Sequence, residues 1–306
     1  MNIVLTNIGP NIQPYIIDSI RQAKRHMDNT FYVLCSKQST HGVIAELKKL
    51  NVNIVFYEDY ADALTTEFDR IKYFETNFPY LPNKLFWRYS AERLFYLNSF
   101  MQIANLQEVL HFENDVMLYD DLNKYIDGFK SYENIAMPEG SYKWMISSVM
   151  FVNKKTSLQP LCEFLLNEMK TRNNEEFMKY WPQKHSSIKE ICMVCEMAML
   201  RVYREEMGDE FIDILPSIPV GSQSKHMDRF GGTLFDPAGY GQFLGGNFHH
   251  KKPGVNAIPE WNHIRHFIEG NKVDIVYNGT PTLNYNGKVY AINNLHIHCK
   301  RLGDFT

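Results

Sequence analysis

Short apolar runs alternate with helically spaced ones through the first 60 residues. Ile3 to Thr6 runs into the turn Asn7-Ile8-Gly9-Pro10, and between Gln13 and Met27 the residues Ile16, Ile17, Ile20 and Ala23 fall at helical spacing. Phe31 to Cys35 reads as a second strand, Val43 to Leu50 as a helix, and Val52 to Tyr57 as a third strand ending at Glu58-Asp59. This alternation predicts a parallel sheet with helices on its faces. Ligands of such sheets sit beyond the carboxyl ends of the strands, so Thr6, Asn7, Glu58 and Asp59 are expected at a crevice, although polar residues also end strands for turn chemistry alone. A helical pattern from Phe86 to Ala104 repeats Tyr89, Arg93, Tyr96 and Phe100 on one stripe and leads into a strand, Glu108 to Phe112. Ile135 to Pro138 and Ser147 to Asn153 read as strands around a polar, aromatic loop. The segment from Lys155 to Met207 is mostly helical, with a break at Trp181-Pro182. From Pro216 to Gly254 the chain is irregular and rich in glycine, which in a folded protein usually marks function.

Charge and cysteine usage narrow the classes. A formal net charge of −3 leaves no global basic field for a polyanion, so phosphate recognition is expected to be local and nucleic-acid binding is disfavoured. Five scattered cysteines, an odd number, point to reduced thiols, and Cys192 and Cys195 read as buried core thiols in an apolar helical run. No stretch reaches the roughly 18 apolar residues of a membrane span, and the chain opens directly on a strand; neither a signal peptide nor an anchor is expected, and the location expected is cytoplasmic.

Two segments carry the chemistry. Glu113-Asn114-Asp115 ends the strand that follows the long helix; in extended backbone Glu113 and Asp115 share a face, and converging hard oxygens suit Mg²⁺ or Mn²⁺ with substrate phosphates filling the remaining positions. At the other end of the chain, Asn294-Leu-His-Ile-His-Cys-Lys300 alternates, with His296, His298 and Lys300 on one face and Leu295, Ile297 and Cys299 on the other. Glu196, one carboxylate in the apolar run from Ile191 to Leu200, is a desolvated candidate general base or else the exposed stripe of an amphipathic helix, and Asp236 is its rival. In the irregular stretch, Gly245 and Gly246 permit close backbone approach and Gln242 offers a sugar-hydroxyl partner. His249, His250, Lys251 and Lys252 form a short basic run that reads as solvated surface.

The stretch HFENDVMLYDDL, after the helix LFWRYSAERLFYLNSFMQ, resembles the DxD region of GT-A glycosyltransferases, with glutamate at the first acidic position. The resemblance covers roughly residues 1 to 155 and returns at the C-terminus. It implies an α/β, GT-A-like fold: a mostly parallel central sheet flanked by helices, with an elaborated acceptor-side C-terminal half. The whole chain is then one domain, with a nucleotide-sugar-binding half over 1–155 and an acceptor half over 156–306 whose end returns to the donor site. It implies that Asp115 holds the metal on a nucleotide-sugar diphosphate, while Glu113 reaches metal directly, through water, or touches the donor instead. His298, or His296, completes the coordination, and Lys300 neutralises phosphate charge. Thr6, Asn7, Asp59, Arg88, Asn114 and Ser148 become donor contacts. Trp144, Gln242, Gly245 and Gly246 become acceptor contacts, Trp144 being equally placed to anchor the core. Glu196 or Asp236 takes the acceptor proton in an inverting reaction; without such a base, retention is expected.

The function implied is metal-dependent transfer of a sugar from a nucleotide sugar, with UDP-sugar expected, to an acceptor hydroxyl on a glycan. Two other readings stand beside it: a nucleotidyltransferase, which lacks here the glycine-rich basic loop after Thr6, and a catalytically silent carbohydrate-binding protein.

Overall fold

The computed structural model describes residues 1–74, 84–171, 195–247 and 249–306. The Trp181-Pro182 break and Cys192 lie outside the described residues. The first strands and helices form where the pattern places them: β1 (Asn2–Thr6), α1 (Ile16–His26), β2 (Phe31–Cys35), α2 (His41–Lys49) and β3 (Val52–Phe56). Asp18 in the first turn of α1 and Lys24, Arg25 and His26 in its last turn complement the helix dipole. Then come α3 (Ala63–Arg70), α4 (Lys84–Ile103), β4 (Val109–Phe112), β5 (Val116–Leu118) and α5 (Ile126–Lys130). After them follow β6 (Ile135–Ser141), β7 (Trp144–Met145), β8 (Val149–Val152), α6 (Leu158–Thr171), α7 (Glu196–Met207) and β9 (Ile212–Leu215).

The central sheet has the order β3-β2-β1-β4-β8-β6-β7, with β9 also on β6. β1 is parallel to β2 and β4, β2 to β3, and β6 to β9; β8 and β7 are the reversed strands. Side-chain alternation divides the core between the two faces. Val4, Leu34, Val109 and Met150 pack with α4, α6 and α7. Ile3, Leu5, Phe31, Val33, Leu110 and Phe112 pack with α1, α2 and α5. This is the mainly parallel α/β architecture that the pattern predicts.

The C-terminal part adds α8 (Tyr240–Gly245), α9 (His263–Gly270) and an antiparallel meander of β10 (Val273–Tyr277), β11 (Pro281–Tyr285) and β12 (Lys288–Ala291). The sequence reading missed the meander. Its signal was the Asn286-Gly287 pair, at φ 51° and 74°, which closes a two-residue hairpin between β11 and β12.

β13 (Asn294–His296) pairs antiparallel with β5, placing His296 opposite Val116, and the Ile297 N–H donates to the Asp115 carbonyl at 2.9 Å. The last strand is therefore zipped to the segment that follows Glu113-Asn114-Asp115. It is shorter than expected. Beyond Ile297 the chain turns, the Lys300 N–H donating to the Ile297 carbonyl at 3.1 Å with Lys300 at φ 58°, so the period-two alternation does not run on to Lys300.

Candidate active site

Glu113, Asn114 and Asp115 make a tight turn between β4 and β5, closed by the Val116 N–H donating to the Glu113 carbonyl at 3.0 Å. The expectation of an extended segment is thereby corrected: the two carboxylates converge because the chain folds back, and His296 joins them. His296 Nε2 stands 3.1 Å from Glu113 Oε2 and 3.1 Å from Asp115 Oδ2. Lys300 Nζ pairs with the same Asp115 oxygen and lies 5.5 Å from the centre of the Tyr15 ring. Burial opposes charge on His296, but the Asp115 and Glu113 carboxylates overcome it and push the imidazole up to about 10. Burial likewise opposes charge on Asp115, and His296 with Lys300 holds the carboxyl well below its ordinary range.

The histidine that reaches both acids is His296 rather than the preferred His298. β13 directs His296 at the turn, whereas His298 follows the end of the strand and sets its ring edge-on against His296, centroids 4.2 Å apart. Burial and the neighbouring His296 push His298 down to about 3.

On the other side of Glu113 stands Arg93, a residue that the sequence reading placed on a stripe without giving it a role. Its guanidinium lies 2.5 Å from Glu113 Oε1 and 3.5 Å from Glu196 Oε1, and it donates to the Ser147 hydroxyl at 2.7 Å. The available signal was a cation among Tyr89, Tyr96 and Phe100, because a charge on a buried stripe needs a partner. Arg88 is five residues earlier, about 140° around the helix. It pairs with Asp69 at 3.0 Å and Glu92 at 3.6 Å. Glu196 opens α7 with Cys195 at the cap, and it is buried. Burial pushes its carboxyl up to about 7 against the pull of Arg93.

Several other expected donor contacts meet here. Asn114 Nδ2 donates to Asn7 Oδ1 at 2.9 Å, and the Glu113 N–H donates to the Ser148 carbonyl at 2.9 Å. Thr6 Oγ1, Asn114 Oδ1, Ser148 Oγ, Glu196 Oε2 and Arg93 Nε are buried without a hydrogen-bond partner among the described residues. Buried polar atoms are ordinarily satisfied, so such a concentration beside one turn marks a place built to take a polar ligand. Asp59 is apart from it. It forms an exposed ion pair with Lys37 at the end of β3, three strands or about 14 Å across the sheet from β4.

Asp236 is not placed as a base. Its Oδ1 accepts from the N–H groups of Gly239 and Tyr240 at 2.6 and 2.8 Å, and its Oδ2 from those of Gly241 and His296 at 2.9 and 3.0 Å. All its lone pairs face backbone donors, and the carboxylate ties α8 to β13. Gly241 makes that approach possible, since a Cβ there would stand 2.2 Å from the His296 carbonyl oxygen. The expected acceptor residues are likewise packed inward. Trp144 is buried edge-on against Trp261 at 4.2 Å; Gln242 donates to the Ala238 carbonyl; Gly245 faces Cys299 and Phe305; Gly246, at φ 79°, abuts the Lys251 carbonyl. These four make packing contacts in the structure.

Glu113, Asp115 and His296 each offer a ligand atom within 4.8 Å of the others. Octahedral bonds of ~2.1 Å put neighbouring ligand atoms about 3 Å apart, which is the spacing of His296 Nε2 from both carboxylates. Two carboxylates and an imidazole therefore fit Mg²⁺ or Mn²⁺.

No family model and no curated protein matches the chain. Solved structures similar to it include mouse xyloside xylosyltransferase 1 in its apo form, 12% identical with a TM-score of 0.45 over 70% of this chain and 84% of that one. The galactosyltransferase LgtC in complex with donor and acceptor sugar analogues is 14% identical, with a TM-score of 0.40 over 70% and 73%. The PaToxG glycosyltransferase is 13% identical, with a TM-score of 0.39 over 67% and 69%.

Proposed function

We propose that the chain is a metal-dependent glycosyltransferase that moves a sugar from a nucleotide diphosphate, expected to be UDP, to an acceptor hydroxyl. The observation that carries this reading is the convergence of Glu113, Asp115, His296 and Lys300 at the carboxyl end of β4, in the midst of a parallel sheet. Bound there, a divalent cation supplies electrostatic stabilisation of the diphosphate as the anomeric C–O bond breaks. Asp115, Glu113 and His296 would hold it, and Lys300 would add positive charge where the leaving group gathers negative charge. Asn114, Thr6 and Ser148 present unused hydrogen-bonding atoms to the donor, and Asn7 holds the Asn114 amide in place. Arg93 pairs with both Glu113 and Glu196, offsetting the repulsion between the two carboxylates.

Glu196 takes the acceptor proton. Its Oε2 is unpartnered and burial pushes its carboxyl up to about 7, toward the range a general base at neutral pH requires. A proton taken during attack from the face opposite the leaving group inverts the anomeric centre. The experiment is a screen of nucleotide sugars for Mn²⁺-dependent donor hydrolysis. Hydrolysis of one donor, abolished by chelation and by Asp115→Asn, is expected; equal rates in wild type and Asp115→Asn at limiting Mn²⁺ contradict the assignment.

A further inference from the structure

The basic run at His249 to Lys252, which reads in the sequence as solvated surface, borders a cavity. The cavity, of about 340 Å³, is lined by Asn247, Lys251, Cys299 and Arg301. Cys299 and Arg301 in its wall flank Lys300, whose ammonium sits on Asp115, so the cavity wall is continuous in sequence with the reacting centre. Two of its four lining residues are cations. Lys251 is exposed and has no ion pair among the described residues; Arg301 is exposed, meets Asp304 at 3.2 Å and donates to the Gly245 carbonyl at 3.3 Å. An exposed ion pair of that kind contributes little and yields readily to a better anion. Asn247 is held in place, its Oδ1 accepting from the N–H groups of His249 and His250 at 2.8 and 2.6 Å, which fixes the loop that carries Lys251. Lys252, also exposed, adds to the positive field.

We propose that this cavity is a phosphate subsite for the acceptor: the protein glycosylates a molecule that carries a phosphate group near the hydroxyl it modifies. The inference rests on the glycosyltransferase reading and extends it to the substrate class. Lys300 is paired with Asp115, whereas Lys251 and Arg301 are not part of the Glu113/Asp115/His296 cluster. A local pair of cations in a chain of net charge −3 selects one anionic group without attracting polyanions at large.

Cys299 gives a direct readout, because it is partly exposed in the cavity wall whereas Cys35, Cys162 and Cys195 are buried. Its alkylation by iodoacetamide, mapped to the Cys299 peptide by mass spectrometry, is followed with glucose 6-phosphate or glucose at equal ionic strength. The expected result is that glucose 6-phosphate slows alkylation and glucose does not. In Lys251→Gln/Arg301→Gln the concentration giving half-protection should rise about tenfold or more, as loss of charge-assisted contacts implies. The single variant Lys251→Gln, at an exposed position, serves should the double variant not fold. Equal effects of the two sugars, or no effect of either, overturn the subsite. So does full protection by UDP with Mn²⁺ that competes with glucose 6-phosphate, which would assign the cavity to the donor. The labelling needs no turnover, so its failure leaves the glycosyltransferase reading to be decided by the hydrolysis screen.

Discussion

The roles of Glu196 and Asp236 separate by what surrounds each carboxylate. Glu196 has one oxygen without a partner, and Glu196→Gln is expected to lower transfer by roughly two to four orders of magnitude with donor affinity nearly unchanged. Because the base must be ionised, wild-type turnover should rise with pH through an apparent value near 7, and that limb should vanish in the variant; normal transfer by Glu196→Gln, or retained anomeric configuration, contradicts the role. Asp236 accepts from four backbone N–H groups. Asp236→Asn turns an amide NH₂ toward two of those donors, and denaturant unfolding should show a loss of about 2–6 kcal/mol, roughly 1–3 for each donor left unsatisfied. Full stability with lost activity would instead return Asp236 to catalysis. His296 makes a third case. Metal binding needs its neutral imidazole, yet the carboxylates hold the proton up to about 10, so Mn²⁺ affinity should increase with pH across the neutral range. Calorimetry in buffers of differing ionisation enthalpy should register about one proton released per Mn²⁺ bound.

At the scale of elements, the site depends on a strand pairing between residues far apart in sequence. β13 reaches the turn after β4 because β5 supplies its partner, and α8 presses on it through Gly241. Gly241→Ala would place a methyl 2.2 Å from the His296 carbonyl oxygen, so the strand must move. The expected result is a loss of about 1–3 kcal/mol of stability together with weaker Mn²⁺ binding, although the residue touches no ligand; unchanged Mn²⁺ affinity would show that α8 does not position His296. The sequence made β1 to β4 and α1, α2 and α4 legible, since long apolar runs and stripes depend on burial alone. It also showed that the two ends of the chain carry complementary chemistry. What it did not show was which histidine arrives: that depends on where β13 stops, and the turn at Ile297 to Lys300 is set by pairing with Asp115 rather than by local pattern. Arg93 and Arg88 pose the same problem, for the helix period places them on different faces without saying which face meets β4.

For the whole molecule, the acceptor side was the least legible part. Trp144, Gln242, Gly245 and Gly246 have side chains or backbones suited to sugars, but in three dimensions they are buried in contacts that the glycine-rich sequence permits. Glu113, Asp115 and His296, joined across 181 residues by the Asp115–His296 contact, make up the metal centre proposed to hold a nucleotide diphosphate. A ligand that binds only the folded state at a hundred times its dissociation constant stabilises by about 2.7 kcal/mol, so a donor tied to both ends of the chain should also protect the C-terminal tail from proteolysis. The most direct measurement is isothermal titration of UDP into wild type, Asp115→Asn and His296→Ala, each with and without Mn²⁺. Tight binding is expected only for wild type with Mn²⁺, and weak binding by both variants whether or not the metal is present. UDP binding that is indifferent to Mn²⁺, or unaltered by both substitutions, would contradict it.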